Sequence, residues 1–507
     1  MTEPTRETVS GMIFAVAEAR PNHPALIVDD RVITYSAIAQ RMCATSSFLR
    51  EARVQENDVV MVAAGHPADA AQLMLGVMAT AVASPIDSHM GDAGWARVTD
   101  LLHPVAIIGS RPALEVHDVR ELPIWDSATV LEHASDCAGE RDAVHPESSA
   151  VILATSGTTG RPRYVARSHQ MLLSGYRSRG SRVDAHAKTR VLSTSPAHSA
   201  QLLATTLSAL LGGGTVIFPA QADSRMPTPE AIMQAWRLHH PTRIVGSPTM
   251  MQSLLRHGQG QSLPAIEEII VSGSSISPQL VARLREAFGA EVVNGYGMTE
   301  APGLAHSALV ADDGDAQWLI PVYGREIAII GADGIAVPAG VEGEIVTQGE
   351  HVFTEYIGEP EATAAVFTAD GWFRTGDLGV FDGQGRFRIT GRLKEVINRG
   401  GEMIAPADVE AVLVTYPGVA ESVAFGVPDP LFGEGVVAAV VTEPGVTVDM
   451  RGLRRHLLER LPASRVPREI RVVAALPLTA TDKVRRSALA DWHAAGYPEL
   501  RRGHPLH

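Results

Sequence analysis

A run of hydroxyl residues and glycines follows a short apolar segment and has the composition of a phosphate-binding loop. The apolar segment, residues 150–154, has the pattern of a buried strand, and the loop occupies residues 155–163. Glycines let the backbone approach an anion, and backbone N–H groups and hydroxyls then donate hydrogen bonds to its oxygens. Clusters of Ser, Thr and Gly also form ordinary surface turns, so both interpretations stand at this point. A Walker A loop is excluded, because no Gly-Lys-Ser/Thr follows at the required spacing.

Two later strands also run into loops of small and polar residues. The first strand, residues 269–271, leads into residues 272–275, which read Ser-Gly-Ser-Ser. The second leads into residues 294–300, which read Asn-Gly-Tyr-Gly-Met-Thr-Glu. Open α/β sheets bind ligands at the carboxyl ends of their strands. These loops therefore favour the phosphate-binding interpretation of residues 155–163.

Lysine is scarce in a chain whose usual cation is arginine. The 43 basic residues include only three lysines, Lys188, Lys394 and Lys483. Lysine carries a compact charge on a flexible stem, whereas arginine carries a planar fork of donors. A lysine retained in such a sequence is therefore a candidate for a function that arginine cannot perform.

Composition argues against several classes of protein. The 507 residues are 45% hydrophobic and 20% charged, which is usual for globular proteins with sizeable cores. The net charge of −14 argues against nucleic acid as a partner. No apolar run approaches the ~18 residues of a membrane span, and the N-terminus lacks the pattern of a signal peptide. Two cysteines are too few for a cysteine-based metal site. We therefore predict a cytoplasmic protein.

Alternating apolar runs and helical patterns predict α/β layers with a largely parallel sheet over the first part of the chain. Residues 58–62 and 105–108 have strand patterns, and a helix is predicted over residues 67–83. Over residues 320–391, strands alternate with turns, which predicts an antiparallel or barrel-like piece. The remaining residues have the pattern of a small α+β domain.

A change in charge balance marks a domain boundary. Residues 394–507 contain 14 Lys+Arg and 14 Asp+Glu, so the whole net charge of −14 lies before them. We therefore predict an N-terminal domain of residues 1–393 and a C-terminal domain of residues 394–507.

Five motifs in order give the chain a resemblance to the adenylate-forming superfamily of acyl-CoA synthetases, peptide-synthetase adenylation domains and luciferases. The resemblance is greatest to the acyl-CoA ligases and extends over nearly the full length. The motifs are residues 155–163, residues 294–300, residues 361–363 with residues 370–379, residues 391–402, and residues 477–486.

The resemblance implies both a fold and a reaction. The expected fold is a large N-terminal domain of layered α/β subdomains with a β-barrel-like piece, followed by a small mobile C-terminal α+β domain. In the family reaction, a carboxylate attacks the α-phosphate of ATP to give an acyl-adenylate and pyrophosphate, and a thiol then displaces AMP. The implied cofactors are ATP/AMP, Mg²⁺ and coenzyme A. Both steps develop charge on phosphate oxygens, which positioned donors and cations must stabilise.

The motifs carry most of the residues that the resemblance assigns to the nucleotide. Tyr296 would supply a face for adenine, and Thr299 a hydroxyl for the α-phosphate. Glu300 would supply a catalytic carboxylate that binds Mg²⁺. Asp377 is expected to bind the ribose hydroxyls, and Arg392 the ribose or a phosphate. The other residues implied to bind the nucleotide are Thr155, Ser156, Gly157, Thr158, Thr159, Gly160, Arg163, Gly273, Ser274, Ser275, Asn294, Gly295 and Gly297.

The remaining implied residues concern catalysis and the second half-reaction. Lys483 is expected to act during adenylation as a compact charge between the carboxylate and the α-phosphate. Lys394 is the hinge about which the C-terminal domain turns. His198 lies where related ligases have an aromatic residue near the carboxylate site, and it either orients the carboxylate or has a structural role. After the turn, the tunnel for the thiol would be lined by Arg399, Gly400 and Gly401.

Two departures from the family pattern concern the ATP chemistry. The phosphate loop of the family usually ends Pro-Lys, whereas this loop ends Pro162-Arg163, and one alternative is a harmless exchange of cations in an arginine-rich chain. Asp482 stands immediately before Lys483, where the family often has glycine. A carboxylate there could pair with the lysine or repel the triphosphate, which gives the hypothesis of a ligase that is weak in adenylation and mainly converts acyl-adenylate to acyl-CoA. The alternative is that Asp482 points into solvent and changes little.

The substrate is expected to be a carboxylic acid other than an α-amino acid. Residues 195–201 contain no carboxylate that could pair with an ammonium group, and the small residues around 199–200 and 301–303 leave room for an apolar or bulky acid. The main prediction is a carboxylic acid–CoA ligase that is a monomer or homodimer. Three alternatives stay open: a stand-alone enzyme that loads a carrier protein, a binding protein without turnover, and a luciferase-type oxygenase.

Overall fold

The computed structural model of the protein describes residues 7–110, 122–133, 144–155, 162–177, 186–220, 226–258, 261–274, 276–307, 317–443, 445–479 and 484–496. The described strands form three sheets, of six, thirteen and five strands. None of the described helices is long and apolar enough to cross a membrane.

The strands, in chain order, have the following bounds: β1 Pro24–Val28, β2 Arg31–Thr34, β3 Val59–Ala63, β4 Val82–Pro85, β5 Ala106–Gly109, β6 Ile124–Asp126, β7 Ser149–Ala154, β8 Tyr164–Ser168, β9 Arg190–Ser193, β10 Thr215–Phe218, β11 Arg243–Gly246, β12 Glu268–Ser272, β13 Glu291–Tyr296, β14 Ala305–Ser307, β15 Leu319–Pro321, β16 Glu326–Ile330, β17 Gly343–Gln348, β18 Phe373–Phe381, β19 Phe387–Arg392, β20 Ile397–Arg399, β21 Glu402–Ile404, β22 Val419–Asp429, β23 Gly433–Thr442 and β24 Glu469–Val472.

The helices alternate with these strands over most of the chain. They are Val9–Ala19, Tyr35–Glu51, Pro67–Val77, Asp92–Leu102, Ser127–Leu131, His169–Arg177, Ala200–Leu211, Pro229–His239, Pro248–Gly258, Pro278–Phe288, Pro360–Ala364, Pro406–Leu413, Met450–Leu458 and Arg486–Ala494. The predicted mixture of strands and helices is confirmed.

Local sequence signals fix where some of these helices begin. The hydroxyl of Ser277 accepts a hydrogen bond from the Leu280 N–H at 3.2 Å, and Pro278 occupies the first helical turn. A capping hydroxyl supplies a partner for one of the unpaired N–H groups of a helix start, and proline at that position has no N–H to satisfy. This helix packs beside β13 and so supports the strand that leads into residues 294–300, which we call the nucleotide loop.

The six-stranded sheet has the order β6-β5-β3-β4-β7-β8. Its pairs are parallel, except that β7 and β8 are antiparallel. The predicted phosphate loop joins these last two strands. The base of the loop is therefore held between antiparallel neighbours at one edge of the sheet.

The thirteen-stranded sheet combines a parallel half and an antiparallel half. The strands β1, β10, β9, β11, β12 and β13 are parallel neighbours. From β13 the sheet continues antiparallel through β14, β15, β19, β18, β17 and β16. The junction of the two halves lies beside the loop that follows β13.

The antiparallel half confirms one of two alternatives expected from the sequence and corrects the other. Residues 320–391 were expected to be antiparallel or barrel-like, and the structure gives an open antiparallel extension of the large sheet. No pairing among the described strands joins β16 back to another edge to close a barrel. Alternating strands and turns indicate antiparallel pairing, but closure depends on strand tilt and long-range register, which the pattern does not contain.

A second correction concerns the helix predicted over residues 67–83. The helix ends at Val77, and Val82–Pro85 forms β4. A run of small apolar residues suits a buried helix and a buried strand about equally, so periodicity alone cannot decide between them. Parallel pairing decides here, because Val82 lies opposite Val59 on β3.

The C-terminal part of the chain has a sheet and a core of its own. The order of its strands is β21-β20-β23-β22, and β24 pairs with β23 in parallel. Val409, Leu413, Leu453 and Leu457 from two helices are fully buried against this sheet. A small α+β unit with its own hydrophobic core matches the fold that the sequence predicted for this end of the chain.

Candidate functional site

The loops after β12 and β13 lie side by side. The two strands are parallel neighbours, and Ser272 is paired with Gly295 at their carboxyl ends. Gly273 has a φ of 93°, a conformation that favours glycine, and Ser274 after it is exposed. Ser275 lies outside the described residues. The structure thus brings together two of the three loops that the sequence selected.

The nucleotide loop after β13 turns back tightly on itself. The backbone groups of Met298 and Ala301 exchange hydrogen bonds at 3.1 and 3.2 Å. A Cβ atom on Gly297 would lie 2.5 Å from the backbone nitrogen of Gly303. Glycine is therefore required at position 297 by the close approach of two chain segments. On the strand before it, the Asn294 N–H donates to the Ser307 Oγ at 2.9 Å.

A buried carboxylate lies where the parallel and antiparallel halves of the sheet meet. The Tyr296 hydroxyl donates to Asp377 Oδ2 at 2.8 Å, and Arg392 Nε lies 2.6 Å from Asp377 Oδ1. Asp377 is only 3% exposed, and Arg392 is its cross-strand partner on β19. Three residues that the sequence assigned separately to the nucleotide are therefore in direct contact.

The electrostatics of this group follow from its burial. Burial raises the pKa of Asp377, while the Arg392 guanidinium and the Tyr296 hydroxyl act in the opposite direction. Burial raises the pKa of the Tyr296 hydroxyl well above its ordinary value, so this group is a proton donor at neutral pH. Asp377 in turn raises the pKa of Arg392, which keeps the guanidinium charged.

Glu300 is held by a segment that the sequence did not assign to the site. The Tyr356 hydroxyl donates to Glu300 Oε1 at 3.0 Å, and the Phe353 N–H donates to the Glu300 carbonyl at 2.9 Å. The rings of Phe353 and Tyr356 contact each other with centroids 4.6 Å apart. Both the backbone and the side chain of Glu300 are thus fixed by residues 353–356.

The neighbouring Thr299 is supported by a buried arginine. Arg167 is 2% exposed, and its Nε donates to the Thr299 carbonyl at 3.1 Å, while its Nη1 donates to the His351 carbonyl at 3.2 Å. Burial lowers the pKa of Arg167 to about 10, although Glu300 acts in the opposite direction. Burial, with the charges of Arg325 and Arg167, lowers the pKa of His351 to about 3. At neutral pH the arginine is therefore charged and the histidine is neutral.

The end of the phosphate loop is also fixed by contacts. The Thr155 N–H donates to the Arg163 carbonyl at 2.7 Å, and the Arg163 N–H donates to Thr155 Oγ1 at 3.3 Å. The Arg163 side chain lies over the Tyr356 ring, with Cζ 4.9 Å from its centroid, and its Nε donates to Glu359 Oε2 at 2.9 Å. Five further predicted residues lie outside the described residues: Ser156, Gly157, Thr158, Thr159 and Gly160.

His198 lies in a largely buried segment near another histidine and a carboxylate. Its Nδ1 is 4.0 Å from Asp87 Oδ1, and the same carboxylate oxygen is 3.5 Å from His89 Nδ1. Burial lowers the pKa of His198, and Asp87 acts against this effect. Residues 195–201 have no carboxylate of their own, but the structure thus supplies one from the loop after β4. Sequence spacing gave no sign of this contact.

The C-terminal candidates lie around a hairpin and a turn. Lys394 is exposed in the turn between β19 and β20. Gly400 and Gly401, with φ of 62° and 91°, form the turn of the β20–β21 hairpin. Arg399 lies over the Phe432 ring with Cζ 4.5 Å from the centroid, and its Nη1 donates to the Ser464 carbonyl at 2.9 Å.

The described contacts divide the candidates into separate groups. Tyr296, Asp377 and Arg392 form one group, and Arg163 and Glu300 are joined through Tyr356 to form another. No contact found among the described residues joins Arg399, Gly400 or Gly401 to either group, and Asp482 and Lys483 lie outside the described residues. Sequence reasoning missed three residues that contact the candidates: Arg167, which donates to Thr299, and Tyr356 and Glu359, which contact Arg163. Tyr356 and Glu359 lie just before residues 361–363, a family motif to which the sequence assigned no function.

The described residues hold no group of three or more His, Cys, Asp or Glu side chains that could bind a metal ion by itself. Glu300 is thus a single carboxylate, and Tyr356 engages one of its two oxygens. Mg²⁺ is usually bound through one or two carboxylates together with substrate phosphates and water, without a cage of protein ligands. Glu300, as a single carboxylate, suits this mode of Mg²⁺ binding.

Comparison with known protein families gives the chain its family. A model described as AMP-binding enzyme matches residues 13–357, which is more than half of the chain. The chain belongs to the AMP-binding enzyme family. A second model, described as AMP-binding enzyme C-terminal domain, matches residues 408–483. The resemblance to adenylate-forming enzymes that the motifs gave is confirmed.

Curated relatives of this AMP-binding enzyme are CoA ligases and synthetases. The chain is 31% identical to oxalate–CoA ligase from Arabidopsis thaliana, over 96% of this chain and 98% of the relative. It is 33% identical to feruloyl-CoA synthase from Amycolatopsis sp, over 92% of this chain and 95% of the relative. The prediction that the protein is an enzyme of the acid–thiol ligase class is therefore confirmed.

Solved structures share the whole fold of the AMP-binding enzyme. ATP-bound MatB from Rhodopseudomonas palustris has a TM-score of 0.85 and 24% identity, and covers 96% of this chain and 100% of its own. The anthranilate CoA ligase AuaEII, in complex with anthranoyl-AMP, has a TM-score of 0.87 and 21% identity, with 97% and 99% coverage. At these identities the comparison shows the fold, and it confirms the α/β architecture with a large N-terminal and a small C-terminal part.

Proposed function

We propose that this AMP-binding enzyme is a carboxylic acid–CoA ligase that consumes ATP, forms an acyl-adenylate and transfers the acyl group to the thiol of coenzyme A. The observation that carries the proposal is the buried contact of Tyr296, Asp377 and Arg392 beside the nucleotide loop. It supports a site for the nucleoside half of the adenylate. Burying a carboxylate costs folding free energy, so a function that needs this carboxylate explains why the fold contains it.

The chemistry of this group suits a ribose. Each carboxylate oxygen has two lone pairs, and the described contacts to Asp377 engage each oxygen once, one by Tyr296 and one by Arg392. In this proposal the two ribose hydroxyls donate to the remaining lone pairs. Arg392 is 40% exposed in its side chain, so it can also reach a ligand oxygen. In this proposal the Tyr296 ring contacts adenine.

The adenylation step would take place beside Thr299, Glu300 and Lys483. The Thr299 hydroxyl and the Lys483 ammonium would bind the α-phosphate and the attacking carboxylate, which holds the reacting oxygens together and offsets the charge that develops. Glu300 would hold Mg²⁺ together with the phosphates of ATP. The bound ion would supply charge stabilisation at the phosphoryl group.

We also propose that the chain comprises a domain of residues 1–393 and a mobile domain of residues 394–507 hinged at Lys394. The exposed turn between β19 and β20, and the separate hydrophobic core that follows it, support this division. An ion pair crosses the boundary: Arg256 Nη1 lies 2.9 Å from Glu421 Oε1. Turning about Lys394 would separate this pair and bring Gly400 and Gly401 towards the thiol.

The acid is proposed to be apolar or bulky and to lack an α-amino group. Residues 195–201 are largely buried, and Ser272 Oγ donates to Gln201 Oε1 at 2.9 Å, which closes one side of the segment. Relatives named for oxalate and for the feruloyl group show that acids of very different size are used by similar chains. Because Asp87 lies near His198, amino acids belong in the test as well.

The proposal is tested by incubating the protein with ATP, Mg²⁺, coenzyme A and a panel of carboxylic acids that includes aromatic, aliphatic, dicarboxylic and amino acids. Acyl-CoA is measured by mass spectrometry and pyrophosphate release by a coupled assay. A parallel reaction supplies preformed acyl-adenylates with coenzyme A or with a phosphopantetheinyl carrier protein. Product from acyl-adenylate but not from ATP would show a ligase that is weak in adenylation. Product with the carrier protein alone would show an enzyme that loads a carrier. No product in any reaction would contradict the proposal.

A further inference from the structure

Arg163 occupies the position at which the family phosphate loop usually has lysine, and its side chain contacts Glu359 and Tyr356. Nε donates to Glu359 Oε2 at 2.9 Å, and the guanidinium lies over the Tyr356 ring with Cζ 4.9 Å from the centroid. Arg97 holds the other side of the carboxylate, with Nη2 3.9 Å from Glu359 Oε1, and also donates to the Pro162 carbonyl at 3.1 Å. The arginine therefore has two fixed partners on residues 356–359.

The plane of the guanidinium explains why arginine suits this place. It can stack on an aromatic face while its edge pairs with a carboxylate, whereas a lysine ammonium is a single compact charge. The Arg163–Glu359 pair is about 30% exposed on each side, so it contributes little stability by itself. Its effect is to fix the guanidinium over the ring of Tyr356.

Tyr356 connects this arginine with Glu300. Its hydroxyl donates to Glu300 Oε1 at 3.0 Å, and its N–H donates to Thr363 Oγ1 at 2.9 Å. The Ile357 N–H donates to the Tyr164 carbonyl on β8, next to Arg163. The main chain at residues 356–357 is thus held by hydrogen bonds, and the Arg163 guanidinium covers one face of the Tyr356 ring.

We propose that Arg163 acts in the adenylation step as a positioning residue, which holds Tyr356 against Glu300, and that it does not bind the triphosphate directly. The inference deepens the proposed function and rests on it. Tyr356 engages one carboxylate oxygen of Glu300, and no contact described for this side chain engages the other. In this proposal Arg163 affects nucleotide binding only through the carboxylate that would accept the metal.

The experiment measures nucleotide binding by isothermal titration calorimetry, with ATP plus Mg²⁺ and with ATP plus EDTA, in the absence of any acid. The variants are Tyr356→Phe, which removes only the hydroxyl, Arg163→Lys, which keeps the charge, and the double variant. Tyr323→Phe is the matched control, because this tyrosine is 87% exposed. Thermal unfolding is recorded for each variant to establish that it is folded.

We expect each single variant to bind ATP with Mg²⁺ about tenfold more weakly, which is the effect of one hydrogen bond to a charged group. Binding of ATP in EDTA stays within about twofold, and the double variant is no weaker than either single variant, because both changes act through one contact. Tyr323→Phe matches the wild type.

Three results would overturn the inference. If Arg163→Lys weakens ATP binding equally with and without Mg²⁺, the arginine is a direct phosphate ligand. If the effects of the two changes add in the double variant, they act independently. If Tyr356→Phe retains the full gain in affinity from Mg²⁺, the tyrosine does not position Glu300. A wild-type protein that binds no ATP at all would overturn the proposed function first, and this inference with it.

Discussion

The Tyr296 hydroxyl donates a hydrogen bond of 2.8 Å to Asp377, a residue 81 positions further along the chain. Tyr296 ends the last parallel strand of the large sheet, and Asp377 lies in the antiparallel strand β18. The bond therefore ties the two halves of the sheet together at the place where the nucleotide loop begins. Both side chains are largely buried, at 9% and 3% exposure.

Replacing Tyr296 with Phe should lower the free energy of unfolding by about 1.5–3 kcal/mol, the range for losing a hydrogen bond to a buried charged group. The ring is retained, so the packing of the core is little changed. Urea unfolding at pH 7 measures the effect, with Tyr323→Phe as an exposed control. An unchanged free energy of unfolding would mean that Asp377 finds another donor or takes up a proton.

Much of the fold, and the position of the loop that is proposed to bind the nucleotide, could be predicted from the sequence. Strands were expected at residues 58–62 and 105–108 and are found at Val59–Ala63 and Ala106–Gly109. The nucleotide loop was expected after a strand and follows β13. Strand periodicity and the turn residues that end a strand are local properties of the sequence. The motifs at residues 294–300 and 370–379 also resemble the corresponding motifs of the family.

The contacts between these motifs could not be predicted in the same way. Arg163 and Glu359 are 196 positions apart, and nothing in their local sequence indicates that they pair. Nothing in the local sequence distinguishes Arg167, yet it is buried and donates to the Thr299 carbonyl. Such pairs follow from which strands become neighbours and in which register, and tertiary packing decides this. Tertiary packing likewise decides whether the antiparallel strands close into a barrel or remain an open sheet.

Among the arginines of the candidate site, we expect Arg167 to cause the largest loss in the free energy of unfolding when it is replaced. In Arg167→Met the carbonyls of Thr299 and His351 lose a buried donor, and we expect a loss of about 3 kcal/mol in the free energy of unfolding. Arg167→Lys keeps the charge but not the forked geometry, so it should recover only part of this loss. Urea unfolding measures both variants beside the exposed Arg237→Met. Equal stability of Arg167→Met and wild type would show that the carbonyls find water.

His351 should make the protein less stable in mild acid. Its pKa in the folded state is lowered to about 3, whereas in the unfolded chain it has its ordinary value of 6.5. The unfolded state therefore binds a proton that the folded state does not, and the stability present above pH 6.5 is lost as the pH falls towards 3. A single group of this kind contributes up to about 1.4 kcal/mol per pH unit.

The measurement is urea unfolding of wild type and His351→Asn at several values between pH 7 and pH 5. We expect the wild type to lose stability more steeply, since the variant lacks this titrating group. Absolute stabilities will differ because the Thr347 hydroxyl loses its contact with His351 and keeps only the Glu326 carbonyl, so the slopes are compared. Parallel slopes for the two proteins would show that His351 is not held neutral in the folded state.

Two glycines of the nucleotide loop should respond differently to the same substitution. A Cβ at Gly297 would lie 2.5 Å from the Gly303 nitrogen and 3.3 Å from the Ala301 carbonyl oxygen, and both neighbours are backbone atoms that cannot rotate away. A Cβ at Gly295 would meet its nearest atom, Ser272 Cβ, at an ordinary distance of 3.5 Å. Gly297→Ala must therefore move the turn that carries Thr299 and Glu300, at a cost of about 1–3 kcal/mol.

Binding of AMP, measured by calorimetry, distinguishes the two variants. Gly297→Ala should bind AMP at least about tenfold more weakly, because displacement of the turn moves Tyr296 and Thr299 relative to Asp377. Gly295→Ala should keep wild-type stability within about 0.5 kcal/mol, the range for substitutions that meet no unfavourable contact. If both variants bind AMP as wild type does, the turn can relax without moving the groups on either side of it, and the close approach at Gly297 would then be unrelated to nucleotide binding.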